Sequence, residues 1–176
     1  MLPHLQTARL STRPWVSADV DPLIALAGPP DQARMMGSVP SPWSREDALA
    51  WMDARGWHNP PGFFLAICLG ENEIVGGMGV GPAPDWDFGY FIGRAYAGSG
   101  YATEAGIGVL AATFALEDGP DTVSATCFQD NPASARVLEK LGFLKIADDM
   151  GTSRARLEPA PVWKYRLTRS DFEGRP

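Results

Sequence analysis

The amino-acid sequence predicts an α+β fold, with a mixed, largely antiparallel central sheet and helices on both of its faces. Short apolar runs bounded by Gly, Pro and Asp recur along the chain, as is typical of strands. Segments with apolar residues at helical spacing lie between some of these runs. Two runs, residues 63–68 and 74–80, are separated by a turn too short for a crossover helix, so this pair is expected to be an antiparallel hairpin.

Length and composition indicate a single globular domain. The chain has 176 residues, of which 45% are apolar and 20% charged, as in ordinary globular proteins. A chain of this size buries roughly 70% of its unfolded surface around one core. We therefore expect one domain over residues 1–176, with its core between about residues 7 and 168.

Charge and cysteine usage exclude several classes of protein. The net charge of −6 argues against a general nucleic-acid binder, which needs a basic face to neutralise phosphates. No apolar run is long enough to span a bilayer and no signal pattern begins the chain, so we expect a cytoplasmic protein without a membrane partner. Cys68 and Cys127 stand in apolar runs and are expected to be reduced and buried. His4 and His58 are isolated, so we expect no metal.

The N-terminal part of the chain is expected to supply one strand and two helices. We predict the strand over residues 9–15 and the first helix over residues 18–27, where apolar residues recur at helical spacing. Residues 29–43 hold four prolines and are expected to be irregular, with Met and Trp side chains that pack or line a pocket. Ser44 is a suitable N-cap for a second helix over residues 45–55.

The remainder of the chain continues the sheet and adds two helices. A turn is expected at residues 59–62, and a polar loop at residues 148–161 before the last strand. The strands are predicted over residues 63–68, 74–80, 88–92, 122–128, 143–147 and 162–167. One helix is predicted with its first turn at residues 98–102 and its end at about residue 117, and another over residues 131–141.

A glycine loop precedes the first of these two helices. It has the sequence Ala97-Gly98-Ser99-Gly100-Tyr101-Ala102-Thr103 and follows the strand at residues 88–92. The first turn of a helix leaves backbone N–H groups without partners and carries partial positive charge. Because Gly98 and Gly100 have no Cβ, an anion can approach these groups closely. The loop therefore indicates a phosphate or pyrophosphate site, although a plain tight turn explains the glycines equally well.

A second motif lies about thirty residues further on, from Asn131 to Phe143: Asn-Pro-Ala-Ser-Ala-Arg-Val-Leu-Glu-Lys-Leu-Gly-Phe. Together with the loop Ala-Gly-Ser-Gly-Tyr-Ala, it resembles the GNAT superfamily of acyl-CoA N-acyltransferases. Residues 89–90, 100–105 and 7–14 further resemble the branch that acetylates the N-termini of ribosomal proteins. The resemblance covers about residues 7–167 and implies the GNAT-like fold, with acetyl-CoA as cosubstrate and no metal.

The resemblance also implies where CoA binds. The pyrophosphate would rest on the glycine loop, and the pantetheine arm would pair with the preceding strand, where that strand separates from the one at residues 122–128. Asn131 and Ser134 lie one helical turn apart and would contact the same arm. The implied CoA-binding residues are Phe91, Ile92, Gly93, Ala97, Gly98, Ser99, Gly100, Tyr101, Ala102, Thr103, Asn131 and Ser134.

Direct attack of an amine on the thioester needs an oxyanion donor and a donor for the departing thiolate. A backbone N–H of residues 91–92 is the candidate oxyanion donor. Many family members use a tyrosine for the thiolate, but Leu138 stands at that position here. The resemblance to the ribosomal branch therefore implies Ser134 as the catalytic donor, with Tyr101 or a water as alternatives.

The general base is the least defined group. Asp87 begins the strand that leads towards the site and is our candidate catalytic base. Asp85, Glu71 and His58 are alternatives, and deprotonation relayed by water is equally compatible with the sequence.

The resulting prediction is an N-acetyltransferase that moves the acetyl group of acetyl-CoA to a primary amine, either a protein N-terminus or a small molecule. The alternative is a catalytically silent CoA-binding sensor or interaction module, which the missing tyrosine would favour. A dinucleotide-binding dehydrogenase is disfavoured, because position 103 is Thr and a hairpin precedes the loop. Residues 29–43, 81–86 and 148–161 are expected to set the acceptor, and the oligomeric state is open, a homodimer included.

Overall fold

The structure of the chain, a computed structural model, describes residues 4–55, 62–70 and 72–174. Within these residues, seven strands form one sheet. The strands are β1 Leu10–Arg13, β2 Phe63–Leu69, β3 Glu73–Val80, β4 Asp87–Ile92, β5 Thr122–Phe128, β6 Leu144–Gly151 and β7 Ala160–Thr168. The helices are α1 Val20–Ala27, α2 Pro30–Ala33, α3 Arg45–Ala54, α4 Tyr101–Phe114, α5 Pro132–Lys140 and α6 Arg169–Glu173.

The sheet is mixed and mostly antiparallel, as predicted. Its order is β1-β2-β3-β4-β5-β7-β6, and only the β4–β5 neighbours are parallel. One core contains residues of α4 and α5, among them Val109, Leu110 and Leu138. A second core contains Leu23 of α1 and Trp51 of α3. Helices therefore cover both faces of the sheet, which confirms the predicted α+β fold.

The parallel strands β4 and β5 are paired over only a short distance. Asp87 lies opposite Ser124 and Phe88 lies opposite Ala125, and no further pair follows. From Gly89 onwards the two strands separate, so their facing edges lack the backbone partners that a continuous ladder would supply. The middle of the sheet is therefore open along these edges.

Alternation along β4 assigns its side chains to the two faces. Phe88, Tyr90 and Ile92 pack with the core of α4 and α5, whereas Phe91 belongs to the core of α1 and α3. Since successive side chains in a strand point to opposite faces, Asp87 faces the same side as Phe91. The opening between β4 and β5 is therefore bordered by different residues on its two faces.

Three stretches differ from the sequence prediction. Helix α4 ends at Phe114 instead of residue 117, because the N–H of Leu116 bonds to the carbonyl of Thr113 in a tighter turn. Strand β6 continues to Gly151 and β7 begins at Ala160, so the predicted loop at 148–161 is shorter. The added residues 148–151 of this exposed edge strand, Asp-Asp-Met-Gly, lack the apolar alternation that marks a half-buried strand. Short helices α2 and α6 form where no helix was predicted.

Cys68 and Cys127 are free and buried, which confirms their expected role as packing residues. Among the described residues, no helix is both long and apolar enough to cross a bilayer. The turn predicted at residues 59–62 lies almost wholly outside the described residues.

Candidate active site

A cleft of about 1150 Å³ lies where β4 and β5 separate. The cleft is lined by the end of β4, the glycine loop, the first turn of α4 and residues of α5. Residues of α2, α3, β6 and β7 also line it. The predicted site residues that line the cleft are Asp87, Phe91, Ile92, Ala97, Gly98, Gly100, Tyr101, Ala102, Thr103, Asn131 and Ser134.

The glycine loop is open towards the cleft. Gly98 and Gly100 have φ angles of +79° and +81°, a left-handed conformation that glycine adopts without strain. A Cβ added to Gly98 would meet no atom within 4 Å. Within the described ranges, no protein oxygen accepts a hydrogen bond from the N–H groups of Tyr101, Ala102 and Thr103. The first turn of α4 therefore offers donors and free space to an anion.

Arg9 lies beside this loop, a position that sequence reasoning missed. Its guanidinium lies 4.7 Å from the ring centroid of Tyr101 and donates to the carbonyl of Ser99 at 2.9 Å. It also forms an ion pair with Glu104 at 2.7 Å. Partial burial acts to raise the pKa of Glu104, but hydrogen bonds from Thr7 and Arg9 hold it below its ordinary value. The sequence signal for this contact was Glu104 in the first turn of α4. It was not informative, because the helix dipole by itself favours an acid at that position.

Two of the predicted site residues, Gly93 and Ser99, do not line the cleft. The N–H of Gly93 donates to the carbonyl of Val75 at 2.8 Å, and the side chain of Leu26 occupies the space where its Cβ would lie. The carbonyl of Ser99 accepts from Arg9. These contacts leave Phe91 and Ile92 as the part of the predicted arm-binding strand that borders the cleft.

The backbone carbonyl of Ile92 has a hydrogen-bond partner in α2. The side-chain amide of Gln32, in α2, donates to the carbonyl of Ile92 at 2.9 Å. Helix α2 is therefore attached to the end of β4, beside the predicted path of the pantetheine arm.

Ser134 is held from two directions. The side chain of Asn131 caps α5 by accepting from the Ser134 N–H at 3.2 Å. The hydroxyl of Tyr90 donates to Ser134 Oγ at 3.0 Å. Burial raises the pKa of Tyr90 to about 12, so its phenol stays protonated at neutral pH and remains a donor. With its oxygen accepting from Tyr90, Ser134 directs its own O–H elsewhere, and both residues line the cleft.

Tyr90 was missed as a site residue because an aromatic residue in a strand usually packs in the core. Its hydroxyl reaches Ser134 only because β4 and α5 pack together, 44 residues apart in the chain. Leu138, at the position of the expected tyrosine, is buried at 2% exposure. Tyr90 therefore supplies a tyrosine hydroxyl to the same cleft from a different element.

Asp87 borders the opening on the opposite face from Tyr90. Its carboxylate is exposed within the concave cleft and accepts from Ser124 Oγ at 3.3 Å. Desolvation by the surrounding protein raises its pKa, the Ser124 hydrogen bond opposes this, and the nearby charge of Asp85 adds to it. Gly89 follows in β4, and a Cβ there would meet no atom within 4 Å, so the strand next to Asp87 is uncovered.

The other base candidates are placed less favourably or lie outside the described residues. Asp85 does not line this cleft, and its carbonyl accepts from Ser124 Oγ at 3.1 Å. Glu71 and His58 fall outside the described residues. Within the described part of the chain, no group of three or more His, Cys, Asp or Glu is placed to hold a metal ion.

Comparisons with known proteins identify the family. A family model described as an acetyltransferase (GNAT) domain matches residues 9–144. A comparison with curated protein sequences gave no significant match.

The fold is similar to several solved acetyltransferases. A GNAT-family acetyltransferase from Bacillus anthracis has a TM-score of 0.78 at 20% identity, covering 96% of this chain and 99% of the other. Spermidine N-acetyltransferase from Vibrio cholerae, solved with CoA and spermine, has a TM-score of 0.80 at 13% identity, covering 96% and 100%. A structure described as a putative ribosomal-protein-serine acetyltransferase from Vibrio cholerae has a TM-score of 0.75 at 16% identity, covering 95% and 98%. The chain belongs to the GNAT family of acetyl-CoA-dependent N-acetyltransferases.

Proposed function

We propose that the chain transfers the acetyl group of acetyl-CoA to a primary amine by direct attack of the amine on the thioester. The observation that carries this proposal is the arrangement around the opening between β4 and β5. The N–H groups of residues 101–103, which have no acceptor among the described residues, border the cleft. The hydroxyl pair of Tyr90 and Ser134 borders one face of the opening and Asp87 borders the other.

The glycine loop would hold the pyrophosphate of CoA through the backbone N–H groups of residues 98–103. Arg9, beside the loop, adds a fixed positive charge close to the phosphates. Arg136 and Lys140 of α5 also line the cleft and favour the negatively charged end of CoA.

The pantetheine arm would lie along Phe91 and Ile92, where β4 has lost its partner strand. Its amide groups can then satisfy backbone groups that β5 no longer reaches, as in the addition of a strand to a sheet. Asn131 and Ser134 border the same path from α5. This placement sets the thioester in the opening of the sheet.

In the reaction, the nitrogen lone pair of a neutral amine forms the new C–N bond at the thioester carbonyl. The carbonyl oxygen becomes an oxyanion, for which a backbone N–H of residues 91–92 is the proposed donor. The C–S bond then breaks, and its electron pair leaves on the sulfur of CoA. Ser134 donates a hydrogen bond to this thiolate, while the proton lost by the amine passes to Asp87 and then to water.

The separation of roles between the two faces supports this mechanism. An amine that approaches from the side of Asp87 meets the thioester with the sulfur directed towards Ser134. A raised pKa makes the Asp87 carboxylate a stronger base than an ordinary aspartate. A serine hydroxyl polarised by Tyr90 is a better hydrogen-bond donor than an isolated one.

The acceptor is a primary amine of a protein N-terminus or a small molecule. Both kinds have support among structural neighbours, one described as a putative ribosomal-protein-serine acetyltransferase and one as a spermidine N-acetyltransferase.

The test is release of free thiol from acetyl-CoA in the presence of N-terminal peptides and small amines. We expect turnover with at least one amine and none with Ser134→Ala and Asp87→Asn combined. Calorimetric binding of CoA without turnover on any amine would instead support a catalytically silent CoA-binding module.

A further inference from the structure

Arg55 lines the cleft and stacks on an aromatic ring, without a carboxylate partner among the described residues. It follows α3 and is half-buried, with its guanidinium carbon 4.2 Å from the ring centroid of Trp51. No carboxylate of the described residues forms an ion pair with it. The six residues that follow it in the sequence, 56–61, include no acid.

The other half-buried arginines in the described part of the chain are paired. Arg13 pairs with Asp19, Arg156 with Asp130, and Arg169 lies 3.8 Å from Asp121. Arg55 instead loses water without gaining an anion from the described residues, and this desolvation lowers its pKa. A cation that is desolvated without a counter-ion is costly, so such a group in a cleft points to an anionic ligand.

The platform beneath Arg55 is fixed. Trp51 donates from Nε1 to Ser38 Oγ at 3.0 Å and makes edge contacts with Trp43 and Phe64, at centroid distances of 5.5 and 5.3 Å. The stacked guanidinium is therefore held in place before any ligand binds, which reduces the entropy lost on binding. A guanidinium stacked on one ring keeps its N–H groups free to bind an oxyanion at their edge.

The sheet register places Arg55 relative to the reacting centre. The N–H of Phe64 donates to the Arg55 carbonyl at 3.2 Å. Phe64 pairs with Gly79, which pairs with Gly89. Two strand spacings, about 10 Å, therefore separate Phe64 from Gly89, and the Arg55 carbonyl lies one hydrogen bond further from β4. Arg55 and Asp87 both border the α1–α3 side of the cleft, where the amine is expected to enter.

We infer that Arg55 binds an anionic oxyacid group, a carboxylate or a phosphate, on the acceptor whose amine reacts above Gly89. The inference rests on the proposed function and adds the chemical class of the substrate. The acceptor is a compact amine that bears its anion a short distance from the reacting nitrogen, because Arg55, Asp87 and Gly89 line the same cleft. A polyamine would place a second cation beside Arg55 and is disfavoured.

The test compares acceptors of matched length. The ω-amino acids β-alanine, γ-aminobutyrate and ε-aminocaproate are assayed by thiol release beside their carboxamides, the corresponding aminoalkyl phosphonates and the corresponding diamines. The proteins are the wild type, Arg55→Gln, Arg55→Lys and the control Arg45→Gln. Arg45 lies on the same helix, pairs with Asp21 at the surface and does not line the cleft.

We expect the wild type to prefer a carboxylate or phosphonate to its neutral or cationic analogue by about tenfold in kcat/KM, the effect of one charge-assisted contact. Arg55→Gln should abolish this preference by raising KM for the anionic acceptors, with little change for the carboxamides. Arg55→Lys should restore part of it, and Arg45→Gln should retain it. A preference for carboxylate or for phosphonate identifies which oxyacid is bound.

The inference would be overturned if the wild type preferred diamines or carboxamides. It would also be overturned if Arg55→Gln lowered kcat/KM equally for all acceptors. The same ligands are also titrated calorimetrically into the CoA-saturated protein. Selective loss of anion binding in Arg55→Gln supports the inference even without turnover, whereas absence of anion binding to the wild type contradicts it. Failure of thiol release together with selective anion binding would count against the proposed function alone.

Discussion

The hydroxyl of Tyr90 lies 3.0 Å from Ser134 Oγ, and this contact joins β4 to α5 at the open edge of the sheet. It makes Tyr90 a positioning residue for Ser134 in the proposed mechanism, because it occupies the serine oxygen and leaves the serine proton for the thiolate. Burial of the phenol keeps it protonated throughout the physiological pH range.

Replacing Tyr90 by Phe should lower kcat by about tenfold with little change in KM for acetyl-CoA, since one polarising hydrogen bond is lost. Ser134→Ala should lower kcat by about a hundredfold, as removal of a transition-state hydrogen-bond donor does. The double variant should be no slower than Ser134→Ala, because Tyr90 acts through the serine. Steady-state thiol release measures all three, and an additive loss in the double variant would show that Tyr90 acts independently.

Gly98→Ala should weaken CoA binding. The substitution costs about 1 kcal/mol of stability because alanine is strained at positive φ, and its methyl group enters the open loop. Gly70→Ala is the matched control, since its φ is +63° and its added Cβ would also meet nothing within 4 Å. Calorimetry should show similar stability losses but weaker CoA binding only in Gly98→Ala. Unchanged CoA affinity in that variant would contradict the assigned pyrophosphate site.

Asp87→Asn should lower kcat/KM by about a hundredfold, as loss of a general base does. In the wild type, the acidic limb of the pH–rate profile should lie above the pH range of an ordinary aspartate, because the pKa of Asp87 is raised. The limb should disappear in Asp87→Asn and persist in the control Asp85→Asn. An unchanged limb in Asp87→Asn would assign the base to another group or to water.

The same raised pKa has a consequence for stability. The folded protein binds the Asp87 proton more tightly than the unfolded chain does, so the ionised carboxylate destabilises the fold at neutral pH. Its contribution to the free energy of unfolding becomes more favourable as pH falls through the folded pKa. Asp87→Asn should therefore raise Tm at pH 7 and lose this advantage in acid, where Asp87 is protonated. A lower Tm at pH 7 would contradict the assigned direction of the shift.

Arg9→Gln should raise KM for acetyl-CoA several-fold, with kcat nearly unchanged. The substitution removes a cation from the side of the glycine loop and the ion pair with Glu104. Because Arg9 is exposed, the difference from the wild type should shrink as salt is added. Arg45→Gln, which removes another exposed ion pair away from the cleft, should leave KM unchanged. A loss confined to kcat would argue against a role in CoA binding.

Features set by neighbouring residues were predictable from the sequence. The glycine pair before α4 and the Asn-Pro start of α5 depend on backbone conformation within a few residues, and both helices begin where expected. The β2–β3 hairpin likewise follows from two apolar runs and a short turn. Strand β6 extended beyond its predicted end because an exposed edge strand needs only a backbone partner, here β7, and its residues 148–151 carry no apolar alternation.

The sequence by itself determined the sheet and the loop that begins α4, because both depend on local backbone preference and apolar spacing, and its two motifs carried the resemblance to the family. Only the tertiary structure decided which side chains meet in the cleft. Tyr90 reaches Ser134 across 44 residues and Arg9 reaches Glu104 across 95. That no described carboxylate pairs with Arg55 is likewise a property of its surroundings. Such contacts arise where separate elements pack together, and no local pattern in the chain encodes them.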